Sequence, residues 1–318
     1  MSTVSRGLCG LLVMVCSWGA AVQAQPYAYV ANEGAGTVSV IDTARDAVVA
    51  EFAAGKKPRG MAVGKDERYL YVSDQPVNQL QVIDLKQRRR VASVDLGESP
   101  EGVGMSADGR WVAAAVEASN DVVIVDTRDN QVAFTIKVHG RNPEHAVFSP
   151  DGKTLLVSAE EGEAVDIIDF EARQQVAQVA VGARPRGIGF LPDGSRAYVA
   201  AENSDAVYVI DVKAHTVVAR IQAGTRANGV AVHPSGRWVY VSNGGAASVA
   251  VIDTATNTVI ATVPVGQRPW NMALTPDGGK LYVANGRSGT VSVIDTRSQT
   301  KTRDIPVGKL PWGVVMGR

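Results

Sequence analysis

Two glutamates and a histidine, Glu101, Glu144 and His145, fall at matching places in successive copies of a repeated segment, and together they could do chemistry. Two carboxylates and an imidazole can bind a divalent cation, or serve as general acid and base. Arginines recur at comparable places, at Arg59, Arg184, Arg186, Arg226 and Arg268, and could face this acidic sector. The plainer alternative is a solvated rim on which opposite charges pair, since exposed ion pairs are common and weak. Trp270 and Trp312 supply an aromatic pair suited to a flat ligand or a partner protein, or to packing. Signatures of other chemistries are missing: no Cys-x-x-Cys-His, His-Glu-x-x-His, Gly-x-Ser-x-Gly or phosphate-binding glycine loop occurs. His139, His215 and His233 fall in or beside strand edges and turns, where packed or solvated roles suit them better than ligation.

What must position these residues is a repeat. An aspartate closes the same apolar pattern at Asp42, Asp84, Asp126, Asp169, Asp211, Asp253 and Asp295, with differences of 42, 42, 43, 42, 42 and 42. A fixed period of this length marks a repeat architecture. Each period holds four short segments rich in Val, Ile, Tyr and Thr, here called strands A to D. In the last full copy they are 271–275, 280–284, 290–294 and 301–306. Between A and B stand turns such as Ser149-Pro-Asp-Gly152 and Thr275-Pro-Asp-Gly278, so their aspartates are structural. The aspartate after strand C can accept turn N–H groups, which explains its repetition without catalysis.

Strand C is apolar on both faces, so one four-stranded sheet would expose oily surface and must stack on the next. The expected fold is all-β: a seven-bladed β-propeller of four-stranded antiparallel blades. An open solenoid is the alternative, but it needs caps that the sequence lacks. A B strand at 27–30 begins the repeats and an A strand at 313–316 ends them. Pairing the C-terminal strand with the N-terminal blade therefore closes the ring and covers exposed edges.

Residues 1–24 read as a secretory signal: Arg6, an apolar run from Gly7 to Ala21, then Val22-Gln23-Ala24 before the cut. The propeller is expected over 25–318, periplasmic and monomeric, without a membrane span once the signal is removed. Both cysteines, Cys9 and Cys16, lie in the signal, so no disulfide is expected. With 32 basic against 32 acidic residues, nucleic acid is not an expected partner.

The segments Tyr29-Val-Ala-Asn32, Tyr71-Val-Ser-Asp74, Tyr240-Val-Ser-Asn243 and Tyr282-Val-Ala-Asn285, with Val-Ile-Asp-Thr following, resemble the YVTN-repeat β-propellers. The exported single-domain form is similar to propellers that accompany pyrroloquinoline-quinone (PQQ)-dependent alcohol catabolism. That resemblance implies a non-catalytic binding or accessory protein, with a periplasmic quinoprotein dehydrogenase or cytochrome as partner. Similar propellers include lactonases, so the competing expectation is a lactone hydrolase in which Glu101, Glu144 and His145 hold a metal or activate water. A third is an envelope scaffold that binds no small molecule.

Propeller ligands meet the loops at one end of the channel. The D-to-A loop repeats as Gly-x-x-Pro-x-Gly, and its variable fifth position runs Arg59, Glu101, Glu144, Arg186, Asn228, Trp270 and Trp312. These seven side chains are expected to ring the mouth. The next position is glycine in five copies but His145 and Asn271 in two, which adds both to the candidate site. Copies three and four also replace the usual motif, ending in Glu117 and in Glu160-Glu161, and departures from a repeat's own consensus are where function overrides architecture.

Overall fold

The computed structural model describes residues 26–317, and the expected signal at 1–24 lies outside them. The described chain forms seven four-stranded antiparallel sheets, each in the order A-B-C-D. The first is composite: strand Pro311–Met316 pairs with Tyr27–Asn32, followed by Thr37–Asp42 and Ala47–Ala53. Val314 lies opposite Val30 and Val315 opposite Tyr29, so the tail closes the ring. The other blades span 58–95, 100–137, 143–180, 185–222, 227–264 and 269–306.

The core lies between blades rather than within them. Seven apolar clusters form, each drawn from two neighbouring blades; Ala28, Val30 and Val314 of the composite blade pack with Tyr282 and Val291 of the last. Strand B is buried on both faces, as its continuous apolar run requires, whereas strand D buries one residue in seven and forms the outer edge. Each buried aliphatic or aromatic side chain contributes about 1.5–3 kcal/mol, so neighbouring blades stabilise one another.

All seven aspartates after strand C accept a backbone N–H from their own turn, at 2.7–3.0 Å. The motif tyrosines lock adjacent blades: Tyr71 donates to Asn130 at 3.1 Å and Tyr198 to Asn257 at 2.8 Å. Tyr282 does the same to Asp46 across the closure, where Lys280 also reaches Asp46 at 2.9 Å.

One feature of strand A differs from the expected pattern. The strands begin two residues earlier, at the proline or, in one blade, at Ala227, because each carries a bulge. Pro58 pairs with Asp74 and Met61 with Val72, leaving Arg59 and Gly60 opposite Ser73 alone. A bulge twists the strand and re-aims its side chains. The motif serine holds it: Ser73 Oγ accepts the Gly60 N–H at 2.9 Å and donates to the Glu101 carbonyl of the next blade at 2.6 Å. Ser242 repeats this for Gly229 and Trp270.

Candidate functional site at the channel mouth

The bulges turn the seven fifth-position side chains, Arg59, Glu101, Glu144, Arg186, Asn228, Trp270 and Trp312, into one cavity of about 400 Å³ at the mouth of the channel. A second set joins them from the residue after each B strand: Glu33, Gln75, Glu117, Glu160 and Glu202. Copies six and seven have glycine there. A Cβ on Gly286 would stand 2.7 Å from the Trp270 ring, and one on Gly244 equally close to Arg268, so the small residue makes room for those side chains. A third set lies two positions before the first: Lys57, Arg184, Arg226 and Arg268.

Charge is matched across these sets, six carboxylates against six cations. The arginines do not face the acidic sector from a distance; two of them enter it. Arg59 pairs with Glu101 and, at 3.3 Å, with Glu33. Arg186 joins two neighbouring blades, binding Glu144 directly and Glu160 at 2.7 Å in the preceding blade and Glu202 at 3.2 Å in its own. Glu202, fully buried, is also met by Arg226 at 2.9 Å, Arg268 at 2.6 Å and Arg184 at 3.6 Å. Planar guanidinium forks suit such multiple pairing.

The carboxylates are driven apart in proton affinity. Burial works against ionised Glu144, but Arg186 first, then His145 and Arg59, hold it below its usual range. Burial, reinforced by the Glu144 charge, pushes Glu101 up to about 8 despite Arg59. The same two causes push Glu160 up to about 7. One permanent anion thus sits between two acids that exchange protons near neutrality.

Glu101, Glu117 and Glu144 each offer an oxygen within 4.8 Å of the others, so the third candidate cation ligand beside Glu101 and Glu144 is Glu117 and not His145. His145 turns away: its ring stacks on Trp312 at 5.7 Å and 13°, and its Nδ1, 4.0 Å from Glu144, has no hydrogen-bond partner. Burial, with help from Arg186, pushes the imidazole below its usual range against the pull of Glu144. Asn271 lies with His145 deeper in the channel. The tryptophans do not form an exposed pair either. Trp312 is 9% exposed, and Trp270 lies against Gly286 with Arg268 at 6.0 Å. Glu33, Gln75 and Glu202 are not among the residues expected at the mouth, although the same 42-residue period, laid on the residue after strand B, finds all three.

Two family models match, each over less than half of the chain: a seven-bladed β-propeller lactonase over residues 169–303, and a cytochrome d1 heme domain over residues 23–145. Among curated proteins no sequence matches. Solved structures share the fold. Kuenenia stuttgartiensis hydrazine synthase superposes with a TM-score of 0.79 at 23% identity, covering 89% of this chain and 99% of that one. A 6-phosphogluconolactonase candidate from Bacteroides uniformis gives 0.77 at 18%, covering 93% and 100%. The dihydro-heme d1 dehydrogenase NirN in complex with DHE gives 0.68 at 18%, covering 92% and 75%. The chain is a seven-bladed β-propeller, with lactonase-like similarity in its later blades and cytochrome d1-like similarity in its earlier ones.

The position of Glu101 sets a pH dependence. Its carboxyl holds a proton in the folded state up to about pH 8, but loses it near 4.5 when unfolded. The folded state therefore binds more protons between these values, and stability falls as pH rises through that window. Thermal melts should show Glu101→Gln, a permanently neutral isostere, losing less Tm than the parent between pH 5 and 9. Parallel slopes would contradict the protonated assignment.

Proposed function

We propose that the channel mouth hydrolyses lactones that carry an anionic group. The reading rests on one observation: ionised Glu144 flanked by Glu101 and Glu160, which titrate near neutrality, in a cavity lined with arginine. A general acid and base work best with proton affinities near the operating pH. In the proposed reaction Glu160 takes a proton from water as its oxygen attacks the lactone carbonyl carbon. Arg59 and Arg186 stabilise the oxyanion, the ring C–O bond breaks, and Glu101 passes its proton to the departing oxygen. Water is the only co-reactant, and the product is a hydroxy acid. With Glu101 protonated and Glu160 ionised, six cations of the mouth face five carboxylates, and this excess of one positive charge favours an anionic substrate.

The lactonase family model and the 6-phosphogluconolactonase-like fold support this reading over an accessory role. A divalent cation on Glu101, Glu117 and Glu144 would compete with Arg59 and Arg186 for carboxylates they already bind, so we assign acid–base catalysis instead. An accessory role beside a periplasmic quinoprotein dehydrogenase or cytochrome ranks second, because Trp312, its intended docking residue, is buried.

Purified protein should open carboxylate-bearing γ- and δ-lactones faster than neutral ones, with EDTA leaving the rate unchanged. Glu101→Gln should lower kcat/KM by about 10²–10⁴-fold, the usual worth of a general acid. A folded protein that opens none of these lactones would refute the proposal.

A further inference from the structure

Beneath the charged mouth lies a second cavity of about 130 Å³, of opposite character. Met61, Val103, Val314 and Val315 supply its apolar wall, and the Trp312 ring forms part of the boundary with the mouth, lining both spaces. His145 and Asn271 enter it because they replace the glycine found at this position in the other five copies. The imidazole is stacked on Trp312, and its buried Nδ1 has no partner.

We infer that this lower chamber is a hydrophobic subsite, which takes a short uncharged alkyl or phenyl substituent of the ligand held in the mouth. Size points there: an apolar cavity of about 150 Å³ stays dry and binds benzene or xenon. Charge points there as well, because among the described residues no carboxylate lines the chamber and Arg59, its one cation, is paired with Glu101 and Glu33. Proximity points there too: Arg59 and Trp312 border both cavities, which places the chamber directly beside the mouth, within reach of an arm on a molecule held there.

The inference adds a subsite to the proposed lactone site, and its test needs no turnover. Benzene is the probe, titrated into the full-length protein by calorimetry, with xenon-pressurised crystals to locate the site. Saturable one-to-one benzene binding is expected, at least tenfold weaker in Val103→Phe and in Val315→Phe, each of which fills the chamber. Glu117→Gln, which changes a mouth residue that neither borders the chamber nor pairs with a residue that does, should bind benzene as the parent does. Should either filling variant fail to fold, xenon density in the parent decides alone. Xenon elsewhere, no benzene binding, or binding indifferent to both fillings would overturn the inference. Benzene binding without lactone hydrolysis would keep the chamber and discard the hydrolase reading; hydrolysis without benzene binding would do the reverse.

Discussion

Arg186→Ala is expected to lower stability by about 3–5 kcal/mol, the usual cost of stripping the partner from buried charge. Its single guanidinium serves Glu144, Glu160 and Glu202, whose side chains are 2%, 9% and 0% exposed. Alanine leaves all three in place with less compensation. Because carboxylates escape that penalty by taking up protons, the loss should be larger at pH 8 than at pH 5. Arg186→Lys keeps the charge but cannot reach three carboxylates with one planar fork, so it should fall between alanine and the parent. Denaturant melts at the two pH values are the measurement. A loss below about 1 kcal/mol, or one that does not depend on pH, would mean that the cluster is solvated and its pairs are worth no more than surface ones.

Removing residues 311–318 should have a still larger effect. That segment supplies the inner strand of the composite blade, buries Trp312 and Val314, and satisfies the edge of strand Tyr27–Asn32. The apolar burial and strand hydrogen bonds lost together rival the whole 5–15 kcal/mol by which a domain is stable. The truncated chain should show no cooperative thermal transition. A synthetic peptide of residues 307–318 should restore one by adding itself as the missing strand. A truncated protein that melts cooperatively within a few degrees of the parent would show that the tail does not latch the ring.

Much of this was readable beforehand, for a physical reason. A blade cannot hide its own apolar faces, so the 42-residue period, the doubly apolar strands and the mismatched ends at 27 and 316 imply closure. The same period placed Arg59, Glu101, Glu144, Arg186, Asn228, Trp270 and Trp312 about one opening. What it did not convey was pairing. Whether Arg186 reaches Glu144, Glu160 or Glu202 depends on rotamers of long side chains extending between blades, and those leave no periodic trace. Protonation was equally hidden, since both Glu101 and Glu117 are glutamates of the third copy, but Glu101 is buried and Glu117 only half-buried. The inward turn of His145 escaped notice because its stacking partner, Trp312, lies far off in the chain and arrives only when the ring closes.

The most direct test is the pH dependence of kcat/KM on a carboxylate-bearing lactone, for the parent and for Glu101→Gln. With Glu160 acting ionised and Glu101 acting protonated, the parent should give a narrow bell, rising near pH 7 and falling near pH 8. These limbs belong to the coupled cluster. In Glu101→Gln the rate should be low and the alkaline limb absent. A parent profile that is flat between pH 6 and 9, or a variant that keeps both the rate and the alkaline limb, would contradict the assignment of Glu101 as the acid at the channel mouth.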